Sequence, residues 1–135
     1  MPGPAHNAAA WVAKAEEDRA VIRLLLVGPG TPWSAVSFHA QQAAEKYLKA
    51  LLVAHLFDPE KTHDLEKLLV LGLKHAPALA RLEEDCERLT AYAVDSRYPD
   101  LPAGDLETLA REAIAASARI CDAVRASLPP LGNGR

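Results

Sequence analysis

The polar side chains with the clearest chemical potential lie on one face of a helical segment in the first half of the chain. Gln42, Lys46 and Lys49 are spaced i, i+4 and i+7, so they share one side of a helix, and His39 lies beside them. Two ammonium groups and an amide can bind a phosphate group or an acidic partner. The same spacing is also typical of a solvated helix edge, and both interpretations stay open.

A histidine and a polar loop supply further candidates. His63 stands at a predicted helix start, where a histidine closes a turn or moves a proton. Arg97, Tyr98 and Asp100 flank Pro99, so one loop presents a guanidinium fork, a phenol and a carboxylate. We predict that Arg97 either pairs with a carboxylate inside the protein or clamps a phosphate group of a ligand.

Two carboxylates occupy positions where apolar residues are expected. Asp18 lies in the apolar stripe of the first predicted helix, one turn before Ile22, and Glu45 lies beside Leu48 in the second. A carboxylate in such a place is costly unless it is paired or hydrogen-bonded. Each is therefore either a structural ion pair, with Arg97 as the predicted counter-ion, or part of a polar cleft.

Familiar catalytic templates are missing from the sequence. It has no glycine-rich phosphate loop, no His-Glu-x-x-His and no Gly-x-Ser-x-Gly. Cys86 and Cys121 lack the spacing of a zinc site, and we predict two buried thiols in a reducing cytoplasm. The sequence therefore predicts no cofactor and no metal site, and His63 and Arg97 are the only catalytic candidates.

Turn residues divide the chain into five predicted helices. Breaks fall at Gly28-Pro29-Gly30, at Asp58-Pro59, between Gly72 and Pro77, and around Pro99. The predicted helices span residues of about 8–27, 33–57, 63–74, 77–93 and 104–128. Residues 1–7 and 129–135 are predicted to be disordered, which leaves one domain over residues 8–128.

Apolar periodicity predicts how these helices pack. Four long helices and a short one favour an all-α, antiparallel, up-and-down four-helix bundle with an additional short helix. The second helix is apolar on two sides, with Phe38, Leu48, Leu52 and Leu56 on one and Val36, Ala40, Ala43, Tyr47 and Ala50 on the other. Such a helix either lies at the centre of the bundle or contacts a second subunit.

Composition excludes several functional classes. A net charge of -3 argues against a nucleic-acid binder that relies on bulk charge, although a local basic patch is still compatible with it. No apolar run is long enough for a membrane span, and the first residues do not form a secretory signal. We therefore expect a cytoplasmic protein with no membrane contact.

Three segments, taken in order, resemble one family. They are residues 38–52 (FHAQQAAEKYLKALL), Thr62-His63-Asp64-Leu65 followed by Leu68, and Ser96-Arg97-Tyr98-Pro99-Asp100. Together they resemble the HEPN domain (higher eukaryotes and prokaryotes nucleotide-binding), and the resemblance extends over about residues 8–128.

The resemblance implies a helical bundle that commonly dimerises and is often encoded beside a minimal nucleotidyltransferase. Some such pairs act as toxin and antitoxin. Other HEPN branches are metal-independent ribonucleases, marked by an arginine followed after four to six residues by a histidine. This sequence departs from that motif, because no histidine follows Arg97. The resemblance therefore favours a non-catalytic or weakly catalytic partner protein.

Three functions stay open at this point. The first is a homodimer that acts as the partner of a minimal nucleotidyltransferase. This homodimer would itself bind a nucleotide or another small phosphorylated ligand. Because the chain is acidic, we expect such a small ligand rather than RNA. Its expected ligand-binding residues are Gln42, Lys46, Lys49, His63, Arg97 and Tyr98, and its structural polar residues are Asp18, Glu45 and Asp100. The second is a ribonuclease toxin in which Arg97 binds phosphate and His63 moves the proton. The third is a purely structural interaction module.

Overall fold

The structure is a computed structural model that describes residues 4–59, 61–95 and 103–131. Five α-helices make up most of this part of the chain: α1 (Pro4–Val27), α2 (Trp33–Ala54), α3 (Leu65–Gly72), α4 (Glu83–Asp95) and α5 (Ala103–Ser127). A 3₁₀ helix at Pro77–Leu82 leads into α4. The described residues contain no strand, so the prediction of an all-α bundle with one short helix is confirmed.

Three helix boundaries differ from the predicted ones by three residues or more, and the others agree within two residues. Helix α1 begins at Pro4, so residues 4–7 are helical rather than disordered, and a proline is well tolerated in a first helical turn. The segment Pro77–Leu82 is a 3₁₀ helix rather than the first turns of an α-helix, a common arrangement at helix starts. Helix α2 ends at Ala54, short of residue 57, because the chain reverses at Leu56.

Helix α2 lies at the centre of the bundle. It contacts α1, α3, α4 and α5. On one side Val36, Ala40, Ala43, Tyr47 and Ala50 are buried, and on the other Leu48, Leu51 and Leu52 are buried. Other helices of the same chain therefore cover both of its apolar sides. Within the described ranges, no helix combines the length and the apolar composition needed to cross a bilayer.

The end of α2 is a Schellman motif with leucine in the position that usually holds glycine. The Phe57 N–H donates to the Leu52 carbonyl at 2.9 Å, and the Leu56 N–H donates to the Val53 carbonyl at 3.1 Å. Leu56 has a φ of 64°, which lies in the left-handed region that favours glycine. This reversal sends the connection between α2 and α3 back along the bundle toward α1.

Helix α3 is held by a side-chain cap at its start and by a close contact with α2 at its end. Asp64 is the N-cap, and its carboxylate accepts a hydrogen bond from the Lys67 N–H at 3.2 Å. Gly72, at the other end of α3, lies so close to α2 that an added Cβ would be 2.9 Å from Leu51 Cδ2. These two features hold His63, the residue before the cap, close to α2.

Candidate functional site

A cavity of about 950 Å³ lies between the first half of α1 and the connection that follows α2, and we call it the Trp11 pocket. This volume is at the upper end of the range for small-molecule sites. Its apolar lining residues are Ala10, Trp11, Val53, Leu56, Phe57 and Pro59. Its polar lining residues are Asn7, Lys14, Lys49, Asp58, Lys61 and His63. An apolar wall with a mostly basic set of polar groups suits a flat organic ligand that carries negative charge.

A buried ion pair lies beside the Trp11 pocket. The Lys49 ammonium is 3.1 Å from a carboxylate oxygen of Glu45, and the two side chains are only 6% and 3% exposed. The same ammonium lies 5.4 Å from the centroid of the Trp11 ring, which is the geometry of a cation–π contact. The charge of Lys49 is therefore balanced inside the protein, and its stem forms part of the pocket wall.

His63 contacts the same carboxylate from the other side. Its Nδ1 atom lies 3.1 Å from both carboxylate oxygens of Glu45, whereas its side chain is 75% exposed. A carboxylate at Nδ1 favours the tautomer with the proton on that atom, which leaves Nε2 as a proton acceptor. The exposed imidazole can therefore accept or release a proton at the edge of the pocket.

Asp18 forms a second carboxylate centre between α1 and α2. It is 6% exposed, and its oxygens lie 2.8 Å from His39 Nδ1 and 2.6 Å from the Lys46 ammonium. Lys46 was predicted to bind a ligand, but its charge is engaged with Asp18. Each of the two buried carboxylates thus has one lysine and one histidine as partners.

A third polar cluster connects α1, α2 and α5. The Tyr47 hydroxyl donates a hydrogen bond to Glu16, and Arg125 donates one to the Tyr47 oxygen at 3.2 Å. Burial and the contact with Glu16 raise the pKa of Tyr47 to about 12. Burial acts to raise the pKa of Glu16, but the hydrogen bond from Tyr47 and the charges of Arg19 and Arg125 outweigh it, so that this pKa is lowered.

The predicted site residues divide into three groups. Lys49 and His63 line the Trp11 pocket together. Gln42 and Lys46 are half-buried and do not belong to the lining residues that the structure describes. Arg97, Tyr98 and Asp100 lie outside the described residues, so the pairing of Arg97 with Glu45 or Asp18 stays a prediction.

Several lining residues were not identified as site residues from the sequence. Lys14 lies one helical turn after Trp11, and that spacing could have indicated a basic group beside an aromatic one. Lys61 lies two residues before His63 in a connection that gave no periodic signal. Leu56 was assigned to the apolar side of a longer second helix, but it is 79% exposed because α2 ends before it.

The described residues contain no evident cluster of metal ligands. Among the described residues, no three histidine, cysteine, aspartate or glutamate side chains come close enough together to hold a metal ion. The two imidazole–carboxylate pairs of Glu45 and Asp18 each include a lysine ammonium as well.

Comparison with known proteins agrees with the motifs in the sequence. The profile of the HEPN domain matches residues 8–127, which is most of the chain. No curated protein and no solved structure gives a significant match. Since the family profile covers residues 8–127, which hold nearly all of the bundle and all the described lining residues of the Trp11 pocket except Asn7, this chain belongs to the HEPN family.

Proposed function

We propose that this HEPN protein binds a nucleotide in the Trp11 pocket. The proposal rests on one observation: the pocket is lined both by aromatic and apolar residues and by the basic side chains of Lys14, Lys61 and His63. Nucleobases stack on aromatic side chains, and phosphate groups bind to lysine ammonium groups. HEPN membership supports a protein of the nucleotide-binding or ribonuclease type.

The proposal shifts the phosphate contact away from the face of α2. Lys46 and Lys49 are engaged with Asp18 and Glu45, so their charges are already balanced. Lys61 is exposed on the connection after α2, at the rim of the pocket. A ligand phosphate therefore meets Lys61 and Lys14, while the base packs against the apolar wall.

The two tryptophans provide a direct test. Trp11 lines the pocket, whereas Trp33 lies under the Arg111 guanidinium, 5.1 Å from it. A Trp33→Phe protein keeps Trp11 as its only tryptophan, and its fluorescence should be quenched by a nucleotide in a saturable way. A Trp11→Phe protein keeps only Trp33 and should not respond. Calorimetry with four nucleotides, at low and physiological salt, should show weaker binding at the higher salt. Absence of binding by all four, even at millimolar concentration, would refute the proposal.

We propose further that the chain forms a homodimer in the cytoplasm and acts beside a minimal nucleotidyltransferase, as in a toxin–antitoxin pair. Support comes only from the family, since both apolar sides of α2 are covered within one chain. Co-expression with the nucleotidyltransferase encoded nearest to this gene should give one complex in size-exclusion chromatography. Light scattering of the chain alone should give twice its mass of 14.5 kDa. A strict monomer at high concentration would contradict the dimer.

The contact between Glu45 and His63 favours a second candidate, cleavage of RNA. A histidine with one ring nitrogen on a carboxylate and the other exposed is suited to general acid–base catalysis. In this reading Arg97 binds the phosphate and His63 moves the proton. Wild-type protein should then cleave a single-stranded RNA, and His63→Ala should lose the activity while it stays folded. Intact RNA after long incubation with the wild type would exclude this candidate.

The pairing of both buried carboxylates within the chain favours a third candidate, a structural interaction module. The burial of Asp18 and Glu45 is explained by their ion-pair partners within the chain, without a ligand. In this case the nucleotidyltransferase should bind while nucleotides and RNA do not. The co-expression, fluorescence and RNA-cleavage experiments together distinguish it from the other two candidates.

A further inference from the structure

We infer that Leu56 is a ligand-binding residue of the Trp11 pocket, where its side chain packs on the base of the nucleotide and makes the base the part of the ligand that the pocket selects. The inference rests on the proposed nucleotide binding and deepens it by naming a residue that determines specificity. Its basis is the combination, in one residue, of a left-handed backbone, an exposed apolar side chain and a place in the pocket wall.

The backbone of Leu56 has a conformation that leucine rarely adopts. Its φ of 64° lies in the left-handed region, which is costly for a residue with a bulky side chain. The hydrogen bonds at the end of α2 hold the chain in this conformation. The reversal after α2 requires a left-handed residue here, but glycine or asparagine would supply it at lower cost. The backbone therefore explains the φ and does not explain the leucine, and such outliers cluster at ligand-binding sites.

The side chain of Leu56 gains little from packing inside the chain. It is 79% exposed, so it contributes little to the hydrophobic core. The described residues hold other exposed large apolar side chains, but among them only Leu56 lines the Trp11 pocket; the others are Leu24, Val27, Phe38 and Val70. Apolar surface in water is stabilising only once something covers it. The contact that leucine can make here and glycine cannot is therefore a contact with a ligand in the pocket.

The neighbours of Leu56 in the pocket indicate which part of a nucleotide it contacts. Trp11 and Phe57 are half-buried lining residues that present aromatic surface to the same pocket. A base has flat faces that pack on such surface, whereas ribose and phosphate are polar. Lys14 and Lys61 also line the pocket, and their ammonium groups suit the phosphate of any phosphorylated ligand. The apolar residues, with Leu56 among them, are therefore the part of the lining that distinguishes a nucleotide from a sugar phosphate.

Calorimetry on the full-length chain tests the inference with four ribonucleoside monophosphates and with ribose 5-phosphate, which has the sugar and the phosphate but no base. The best-binding nucleotide should bind at least about tenfold more tightly than ribose 5-phosphate, because the base covers apolar surface. Leu56→Gly and Leu56→Asn both accept a left-handed backbone, so these proteins should be at least as stable as the wild type. They should bind the nucleotide about tenfold more weakly and ribose 5-phosphate with unchanged affinity. Leu56→Met keeps an apolar side chain and should retain most of the nucleotide affinity.

A matched control and a direct measurement separate this contact from an effect on folding. Leu24 is a similarly exposed leucine, at 71%, and it lies on α1 outside the described lining of the pocket. Leu24→Gln should therefore leave the nucleotide affinity unchanged. In the wild type with isotope-labelled leucine methyl groups, the Leu56 signals are assigned by their loss in Leu56→Met. Nuclear Overhauser effects should then connect the base protons of the bound nucleotide to the Leu56 methyl groups.

The outcomes separate this inference from the proposed function. Ribose 5-phosphate that binds as tightly as the nucleotides would overturn selection by the base but leave ligand binding at the pocket intact. Nucleotide affinities of Leu56→Gly and Leu56→Asn that equal the wild-type value, or the absence of any Overhauser effect between the base and Leu56, would also overturn it. If these variants lose only the co-expressed nucleotidyltransferase, Leu56 contacts a protein and the inference is wrong. If no nucleotide binds to the wild type even at millimolar concentration, the proposed function fails and the inference fails with it.

Discussion

The Nδ1 atom of His63 lies 3.1 Å from each carboxylate oxygen of Glu45. Glu45 is almost fully buried in α2, and His63 is largely exposed just before α3, so the contact joins the core to the rim of the Trp11 pocket. The same carboxylate holds Lys49. Glu45 therefore positions two lining residues of the pocket, Lys49 and His63, although Glu45 is not itself a described lining residue.

Replacing Glu45 with Gln should lower the free energy of unfolding by about 3–5 kcal/mol, because the buried Lys49 ammonium would lose its counter-ion. Urea unfolding followed by circular dichroism measures this change. The double variant Glu45→Met/Lys49→Met removes both charges and should recover most of the stability. If the single variant is as stable as the wild type, the Lys49 ammonium is solvated and the buried pair does not exist.

Replacing Leu56 with Gly should raise the free energy of unfolding by about 1 kcal/mol. Leucine at a φ of 64° is strained, and relief of that strain exceeds the entropy that glycine adds to the unfolded chain. Little burial is lost, since the side chain is 79% exposed. Leu56→Ala keeps the strain and serves as the control that should not stabilise. The glycine variant should also bind nucleotides less tightly, because it lacks part of the apolar wall.

The stabilising effect of the Tyr47 hydroxyl should disappear at high pH. The pKa of Tyr47 is raised to about 12 in the folded chain, against about 10 when unfolded, so the folded state holds this proton more tightly. The contribution is complete below pH 10 and declines as the pH rises toward 12. The difference in unfolding free energy between wild type and Tyr47→Phe should therefore be roughly 1–3 kcal/mol at pH 8 and should shrink steadily above pH 10. A difference that stays constant to pH 11.5 would contradict it.

Neither cysteine should react with a thiol reagent in the folded protein. Cys86 and Cys121 are buried, and burial raises the pKa of both thiols to about 12. An aromatic disulfide reagent at pH 8 should therefore titrate no thiol in native buffer and both thiols in urea. Fast reaction of one thiol without denaturant would show that its helix opens readily.

Helical periodicity predicted the core well, because a central helix needs apolar residues at regular angles. Val36, Ala40 and Tyr47 were placed on one apolar side of the second helix on that basis, and all three are fully buried within the chain. The same rule failed for Leu56, since periodicity carries no information about the residue at which the backbone leaves the helix. Phe38 was also assigned to the apolar side but is 46% exposed.

The polar contacts could be predicted only in part. The i, i+4 spacing of Glu45 and Lys49 is visible in the sequence, and the structure pairs them. The contacts of Asp18 with His39 and Lys46 depend on the register between α1 and α2, which no local pattern specifies. The Trp11 pocket depends on the same register and on the path of the connection after α2, so its lining could not be assembled from the sequence alone.

The central place of α2 has a consequence for the motions of the pocket. We expect α2, which contacts four other helices, to exchange its amide hydrogens mainly when the whole domain unfolds, and the connection between α2 and α3 to exchange by local opening. Ligand binding should slow amide exchange in α2 only by the factor that corresponds to the increase in the free energy of global unfolding. Protection should instead increase most at residues 55–58 and 61–64. On this expectation α2 forms a rigid wall of the pocket, and ligand binding would order the connection that forms the other wall.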